Sequence, residues 1–345
     1  MPSYDAFLLV SFGGPERMED VTPFLENVLR GRSVPEERRR AVAAHYERFS
    51  GVSPINDQNR ALLGALRAEF DRHGLHLPLY WGNRNWHPLL PDTVKRMADD
   101  GISRAIAFVT SAFSSYSSCG QYLEDIAKAR AAVGERAPRI DKVRVFYNHP
   151  GFIEAMADRV RAAFEDLPAG RRAAARLAFT AHSIPLAMAA GCAYVAQLEE
   201  ACRLVAAGAG RAEWGLAYQS RSGAPHQPWL EPDILDHLRW LRDQGATDVV
   251  VAPIGFVSDH MEVRYDLDLE ARRTAEELGL SLVRAGTAGS HPRFVSMVRE
   301  LVEERRQEAA ERAALGARGP LPDVCPEDCC PVGAGGPPVG PGRRP

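Results

Sequence analysis

The stretch VVVAPIGFVSDHMEVRYDLDLE runs from Val249 to Glu270. Its apolar start, Val249 to Ala252, ends in Pro253 and Gly255, which reads as a buried strand closed by a turn. An acidic helical pattern follows. Glu262, Asp266 and Glu270 stand at i, i+4 and i+8 and share one helix face. Like charges at that spacing repel each other. A column of carboxylates at the mouth of a strand therefore suggests a cation, and a solvated helix face is the plainer reading of the same pattern.

The strand–turn–helix unit recurs along the chain. Apolar runs at 6–12, 77–82, 105–110 and 143–147 read as strands, alternating with helical patterns at 19–29, 35–49, 60–73, 91–100 and 122–133. The pattern then starts again. Strands at 177–180, 214–219, 248–253 and 281–285 alternate with helices at 150–167, 192–207, 233–244, 262–278 and 292–312. This alternation predicts an α/β chain of two similar doubly wound, Rossmann-like domains, each with a four-stranded parallel sheet. The expected division is 1–149, 150–312, and an extension at 313–345 rich in Ala, Gly and Pro, whose last 15 residues should be disordered. Ligands of such sheets bind beyond the carboxyl ends of the strands, so residues just after strands are the ones to inspect.

Bulk properties narrow the function. Of 345 residues, 45% are hydrophobic and 25% charged, as in a soluble globular protein. A net charge of -3 argues against a nucleic-acid surface. No apolar run approaches the roughly 20 residues that span a bilayer. The start, MPSYDAFLLVSFGG, has no basic leader and goes directly into a strand pattern, so no signal peptide is expected. The expected compartment is the cytoplasm, where disulfides are rare, which leaves six cysteines as free thiols or ligands.

His182 follows a strand pattern and precedes the turn Ser183-Ile184-Pro185. An imidazole there can bind a divalent metal or accept a proton, although a lone loop histidine is more often structural. With Glu262, in the same half and also beyond a strand end, it would make a low-charge cation site with a built-in proton acceptor.

Four segments carry a resemblance. Leu177-Ala-Phe-Thr-Ala-His182-Ser-Ile-Pro185, Pro253-Ile-Gly-Phe-Val-Ser-Asp-His-Met-Glu262, Tyr80-Trp-Gly-Asn-Arg-Asn-Trp86 and Gly51-Val-Ser-Pro-Ile-Asn56 resemble the ferrochelatase family, in order and spacing, from about Ala6 to about Val302. The resemblance implies a chelatase-like fold and an enzyme, a lyase that inserts Fe²⁺ into a porphyrin held between the two domains. It implies His182 and Glu262 as catalytic and metal-site residues, with Asp266 and Glu270 as an outer relay. Ser53 and Tyr122 match positions that contact the porphyrin or its propionates. Arg30, His45 and Tyr46 lie where propionate partners are expected, His45 in place of an arginine of relatives. Phe12 stands where many members have a tyrosine. It can pack against the ring, but an axial phenolate is excluded at this position.

The segment 28–47 is basic and polar, with Arg38 to Arg40, whereas members acting on protoporphyrin at membranes have an apolar lip there. It resembles the soluble bacterial class that uses coproporphyrin III, a tetracarboxylate, and makes coproheme for haem biosynthesis. Protoporphyrin IX is the alternative substrate, and a hand-off of product to a downstream haem-pathway enzyme is plausible. Cys325, Cys329 and Cys330 form C-x₃-C-C, and Cys119 follows a strand in the first half. Three clustered thiolates plus a distant one make a four-ligand set. Some ferrochelatases hold a [2Fe–2S] cluster in this way, and zinc suits four thiolates equally well. Cys192 and Cys202 read as ordinary buried residues. Two other functions compete. A sirohydrochlorin chelatase would use several histidines near the metal, and a non-catalytic tetrapyrrole or metal carrier would not need a carboxylate column beside a proton acceptor.

Overall fold

The computed structural model of the chain describes residues 3–31, 34–223, 226–307, 311–326 and 329–331. The tail beyond Pro331, where disorder is expected, lies outside the described residues. Strands β1 (Ala6–Ser11), β2 (Leu79–Asn83), β3 (Arg104–Val109) and β4 (Arg139–Lys142) form one sheet in the order β2-β1-β3-β4. Strands β5 (Arg176–His182), β6 (Gly215–Gln219), β7 (Asp248–Ala252) and β8 (Ser281–Arg284) form a second in the order β6-β5-β7-β8. Every pairing is parallel. The two sheets thus repeat one topology, as the sequence pattern requires.

The central strands are apolar throughout because helices cover both faces of each sheet. All six residues of β1 and all five of β7 are buried. One continuous core joins the two halves. Phe108 on β3 stacks on Phe146 at 5.0 Å, and Phe294, on the helix Pro292–Gln307, packs on both at 6.0 and 5.9 Å. Each such fully buried side chain contributes roughly 1.5–3 kcal/mol.

In each sheet the chain reverses direction about its first strand, so the crevice lies at the carboxyl ends of β1 and β5. Two glycines shape those ends. Gly13 takes a φ of 79°, and a Cβ there would meet the Asn83 side chain at 2.8 Å. Gly255 brings the turn after β7 against β5, where a Cβ would lie 2.7 Å from the Ala181 Cα.

Three local expectations are corrected. The apolar run 143–147 is buried, but the fourth strand pairs just before it, through Arg139–Lys142. After Val143, whose N–H still donates to the Ala107 carbonyl, the segment leaves the ladder to build the core. β5 continues through His182, which pairs with Gln219 and is thus the last residue of the strand. The acidic helix opens as a π-helix, Val263–Ala271, before an α-helical end at Arg272–Glu277. Its wider i→i+5 turn still keeps residues four apart on one face, and such insertions recur at functional sites.

Candidate active site

Ladder pairing carries β5 up to His182 and leaves the imidazole at the rim of the crevice. The turn after β7, pressed onto β5 at Gly255, delivers Glu262 opposite it. His182 Nε2 lies 3.7 Å from Glu262 Oε2. His182 Nδ1 faces the Ser183 carbonyl at 2.5 Å. A carbonyl can only accept, so Nδ1 carries a hydrogen and Nε2 is the nitrogen turned to Glu262. Burial would lower the His182 pKa, but the Glu262 charge and hydrogen bond lift it to about 9. Burial likewise pushes Glu262 up, and His182, His260 and His45 pull it well below the usual carboxylate range.

His260 is a second imidazole at the same carboxylate. Its Nδ1 is 3.9 Å from Glu262 Oε2 and accepts the Glu262 N–H at 3.2 Å. The edge of Phe256 approaches it at 4.9 Å, and burial lowers its pKa. The sequence reading missed its role, and the only available signal was its position two residues before Glu262.

The outer carboxylates continue the row. Asp266 Oδ2 accepts from Gln219 Nε2 at 3.3 Å and from the Ser220 hydroxyl. Burial, and then the neighbouring Glu262 and Glu270 charges, push its pKa up to about 7 against the Ser220 hydrogen bond. Burial also raises the Glu270 pKa, and the nearby Tyr265 hydroxyl works against that rise. Among the described residues, no three His, Cys, Asp or Glu groups converge tightly enough to grip an ion.

The opposite wall comes from the N-terminal half. Phe12, 37% exposed, extends from the end of β1 and packs edge-on against Phe24 at 6.3 Å. Tyr46 packs on Phe24 at 5.7 Å, in one cluster with Trp86 and with Met261, the neighbour of Glu262. Tyr46 lies close enough to Glu262 for that charge to act on its hydroxyl. Ser53 is buried against Gly14 in the loop after β1. Arg30 stays at an exposed helix end and donates to Asn27 Oδ1 at 2.5 Å. Tyr122 packs in the core on one face of the first sheet, with the Arg84 guanidinium 4.1 Å above its ring. The structure therefore gathers His182, Glu262, Asp266, Glu270, His45 and Tyr46, with Phe12 beside them, and places Arg30 and Tyr122 farther out.

The ferrochelatase family profile matches residues 4–306. A protein named ferrochelatase from Rhodopirellula baltica is 55% identical over 344 residues, covering 99% of this chain and 98% of that one. A coproporphyrin III ferrochelatase from Streptomyces griseus is 54% identical over 354 residues, with 96% and 94% covered. The chain belongs to the ferrochelatase family. Among solved structures, SirB from Bacillus subtilis with Fe³⁺ matches with a TM-score of 0.52 at 13% identity, over 89% of this chain and 98% of that one. At that identity the likeness establishes the shared fold alone.

This ferrochelatase-family chain also gathers its thiols. The buried Arg144 guanidinium holds Glu304 at 2.6 and 3.1 Å and the Ala313 carbonyl at 2.7 Å. Asn148 Nδ2 holds the carbonyls of Leu315 and Gly319, and Arg305 and Arg312 hold Asp323. The extension, so pinned, brings Cys325 close enough to Cys119, more than 200 residues away in sequence, for the two thiols to shift each other's pKa. Cys329 joins Cys325, and Cys330 Sγ lies 3.9 Å from Cys329 Sγ. Among the described residues these thiols approach one another without converging as a metal site.

Proposed function

We propose that this chain inserts Fe²⁺ into coproporphyrin III to form coproheme and releases two pyrrole protons. The observation that carries the reading is the His182–Glu262 pair, 3.7 Å apart at the end of β5 and facing the Phe12 and Tyr46 wall. In the free protein the carboxylate holds the imidazolium proton. A divalent cation arriving at Glu262 removes that hold, the proton leaves, and Nε2 becomes free to accept a pyrrole proton. Asp266, with a pKa near neutrality, can pass protons outward toward Glu270. Wall residues would supply the binding energy that distorts the macrocycle. Phe12 offers no oxygen to the metal, so chemistry proceeds from the His182 side.

The substrate reading draws on the Streptomyces griseus relative, named for coproporphyrin III, and on the polar lip. Two of the lip arginines, Arg39 and Arg40, pair with Glu36 on the surface, which leaves Arg30, Arg38 and Arg48 as the stronger candidates for carboxylates. Ser53 and Tyr122 are proposed to complete the porphyrin contacts, with residues 1–149 as the porphyrin wall and 150–312 as the metal side. Among the described residues, no helix is long and apolar enough to cross a membrane. A cytoplasmic enzyme that hands its product to a later haem-pathway step fits these features.

Cys119, Cys325, Cys329 and Cys330 are proposed to hold a [2Fe–2S] cluster, an electron-carrying group, with zinc as the rival. Visible absorption with an iron and sulfide count decides between them: colourless protein with stoichiometric zinc refutes the cluster. The main reading is tested by mixing the protein anaerobically with Fe²⁺ and either coproporphyrin III or protoporphyrin IX and following the porphyrin spectrum. Metallation of neither defeats the enzyme reading, and equal rates defeat the substrate assignment. His182→Ala should abolish turnover while porphyrin binding persists.

A further inference from the structure

The lip helix (Glu36–Glu47) and the π-helix come from opposite halves of the chain, yet they meet at the carboxylate column. The His45 ring lies flat on the Tyr265 ring, centroids 3.6 Å apart and planes 10° from parallel. Beside this stack, the Arg264 guanidinium stands 5.3 Å from the Phe49 ring. The Tyr265 hydroxyl lies close enough to Glu270 for the two groups to shift each other's pKa, and Arg48 acts on both. Tyr46 is the one buried residue of the lip helix, and it keeps 9% of its exposure. A helix so lightly buried depends on its few specific contacts, and a parallel ring stack is the most directional of them.

We propose that His45 and Tyr265 form a clasp that holds the lip helix over the carboxylate column. Tyr265 is a positioning residue that keeps Glu270 in line with Asp266 while the clasp is shut. Neither side chain touches the reacting atoms. Porphyrin enters when the stack parts and the lip lifts away from Glu262. When the stack re-forms, Tyr265 returns between the lip and Glu270, and the outer carboxylate is set for metal delivery. Admission of the macrocycle and readiness of the metal path are thereby joined through one aromatic ring. The metal-path half of this inference rests on the function proposed above, whereas the clasp itself does not.

Hydrogen exchange on the full ligand-free chain, read by mass spectrometry over residues 36–47 and 263–271, tests the clasp. His45→Ala should raise exchange in both segments together, roughly three- to tenfold, and His45→Phe, which keeps a stackable ring, should restore it. Alanine is the better helix former, so a merely local effect would slow exchange in the lip helix. Unchanged or slower exchange, a rise confined to the lip, or no rescue by phenylalanine overturns the clasp. Tyr265→Phe keeps the stack and loses the hydroxyl. It should leave exchange in the lip unchanged and raise the KM for Fe²⁺ without raising that for coproporphyrin III. An unaltered KM for Fe²⁺, or equal rises in both, overturns the positioning role. If the wild-type chain metallates no porphyrin, the proposed function fails, and the exchange data still judge the clasp.

Discussion

Glu262→Gln removes the nearest charge that holds the His182 proton while keeping the shape of the side chain. Burial alone would take the imidazole below its ordinary 6.5, and with Glu262 present it sits at about 9. In full, that lift corresponds to ~3 kcal/mol of favourable pairing. The His182 side chain is 32% exposed and that of Glu262 48%, so water screens part of it. About 1–2 kcal/mol remains as a working figure. The raised pKa fixes the sign. This pairing stabilises the fold fully below pH 6.5 and is lost as pH rises through about 9. The assay is an NMR titration of the histidine ring nitrogens in the ligand-free protein, with His182 assigned by its absence in His182→Ala. Wild type should show a midpoint well above 6.5, and Glu262→Gln one at or below 6.5. A midpoint that does not move on substitution would show that the two groups are not coupled, and the proton-release step proposed for metal arrival would fall with it.

Three further outcomes follow from the packing. Arg144→Ala leaves the buried Glu304 carboxylate with only the distant Arg312 at 3.9 Å, which should cost about 3–5 kcal/mol in a denaturant melt and release the extension, with loss of any metal bound by the four thiols. Buried His149, with its pKa pushed down to about 3 by burial and by Arg144 and Arg293, resists protonation in the fold. The His149 contribution to stability should therefore be whole above pH 6.5 and fall below it, by about 2 kcal/mol at pH 5, and His149→Asn should remove that part of the slope in paired melts. Gly255→Ala places a methyl 2.7 Å from the Ala181 Cα, which should cost about 1–3 kcal/mol and lower kcat by moving the turn that sets Glu262 against His182.

Much of the fold was legible because buried parallel strands must be apolar on both faces. β1, β3 and β7 stand out as runs of Ala, Val, Leu, Ile and Phe for that reason. β4 was misplaced because its own residues, Arg139–Lys142, are largely polar, while the apolar run just after it packs in the core and keeps only the Val143 N–H bonded to the Ala107 carbonyl of β3. The π-helix was invisible because side chains four apart share a face in either helix type. Within the site, His182 and Glu262 could be read from their places after strands and from the resemblance. His260 could not be separated from an ordinary turn residue.

By itself, the sequence determined the two repeated α/β halves and the carboxylate column, since these depend on periodicity and on residues near one another in the chain, and the resemblance to a family singled out His182 and Glu262. Only the tertiary structure decided what crosses between distant segments. It set His260 beside Glu262, laid His45 on Tyr265 across the cleft, and used Arg144 to draw Cys325 to Cys119. Those contacts arise from the relative placement of whole elements, and no local spacing rule encodes such placement.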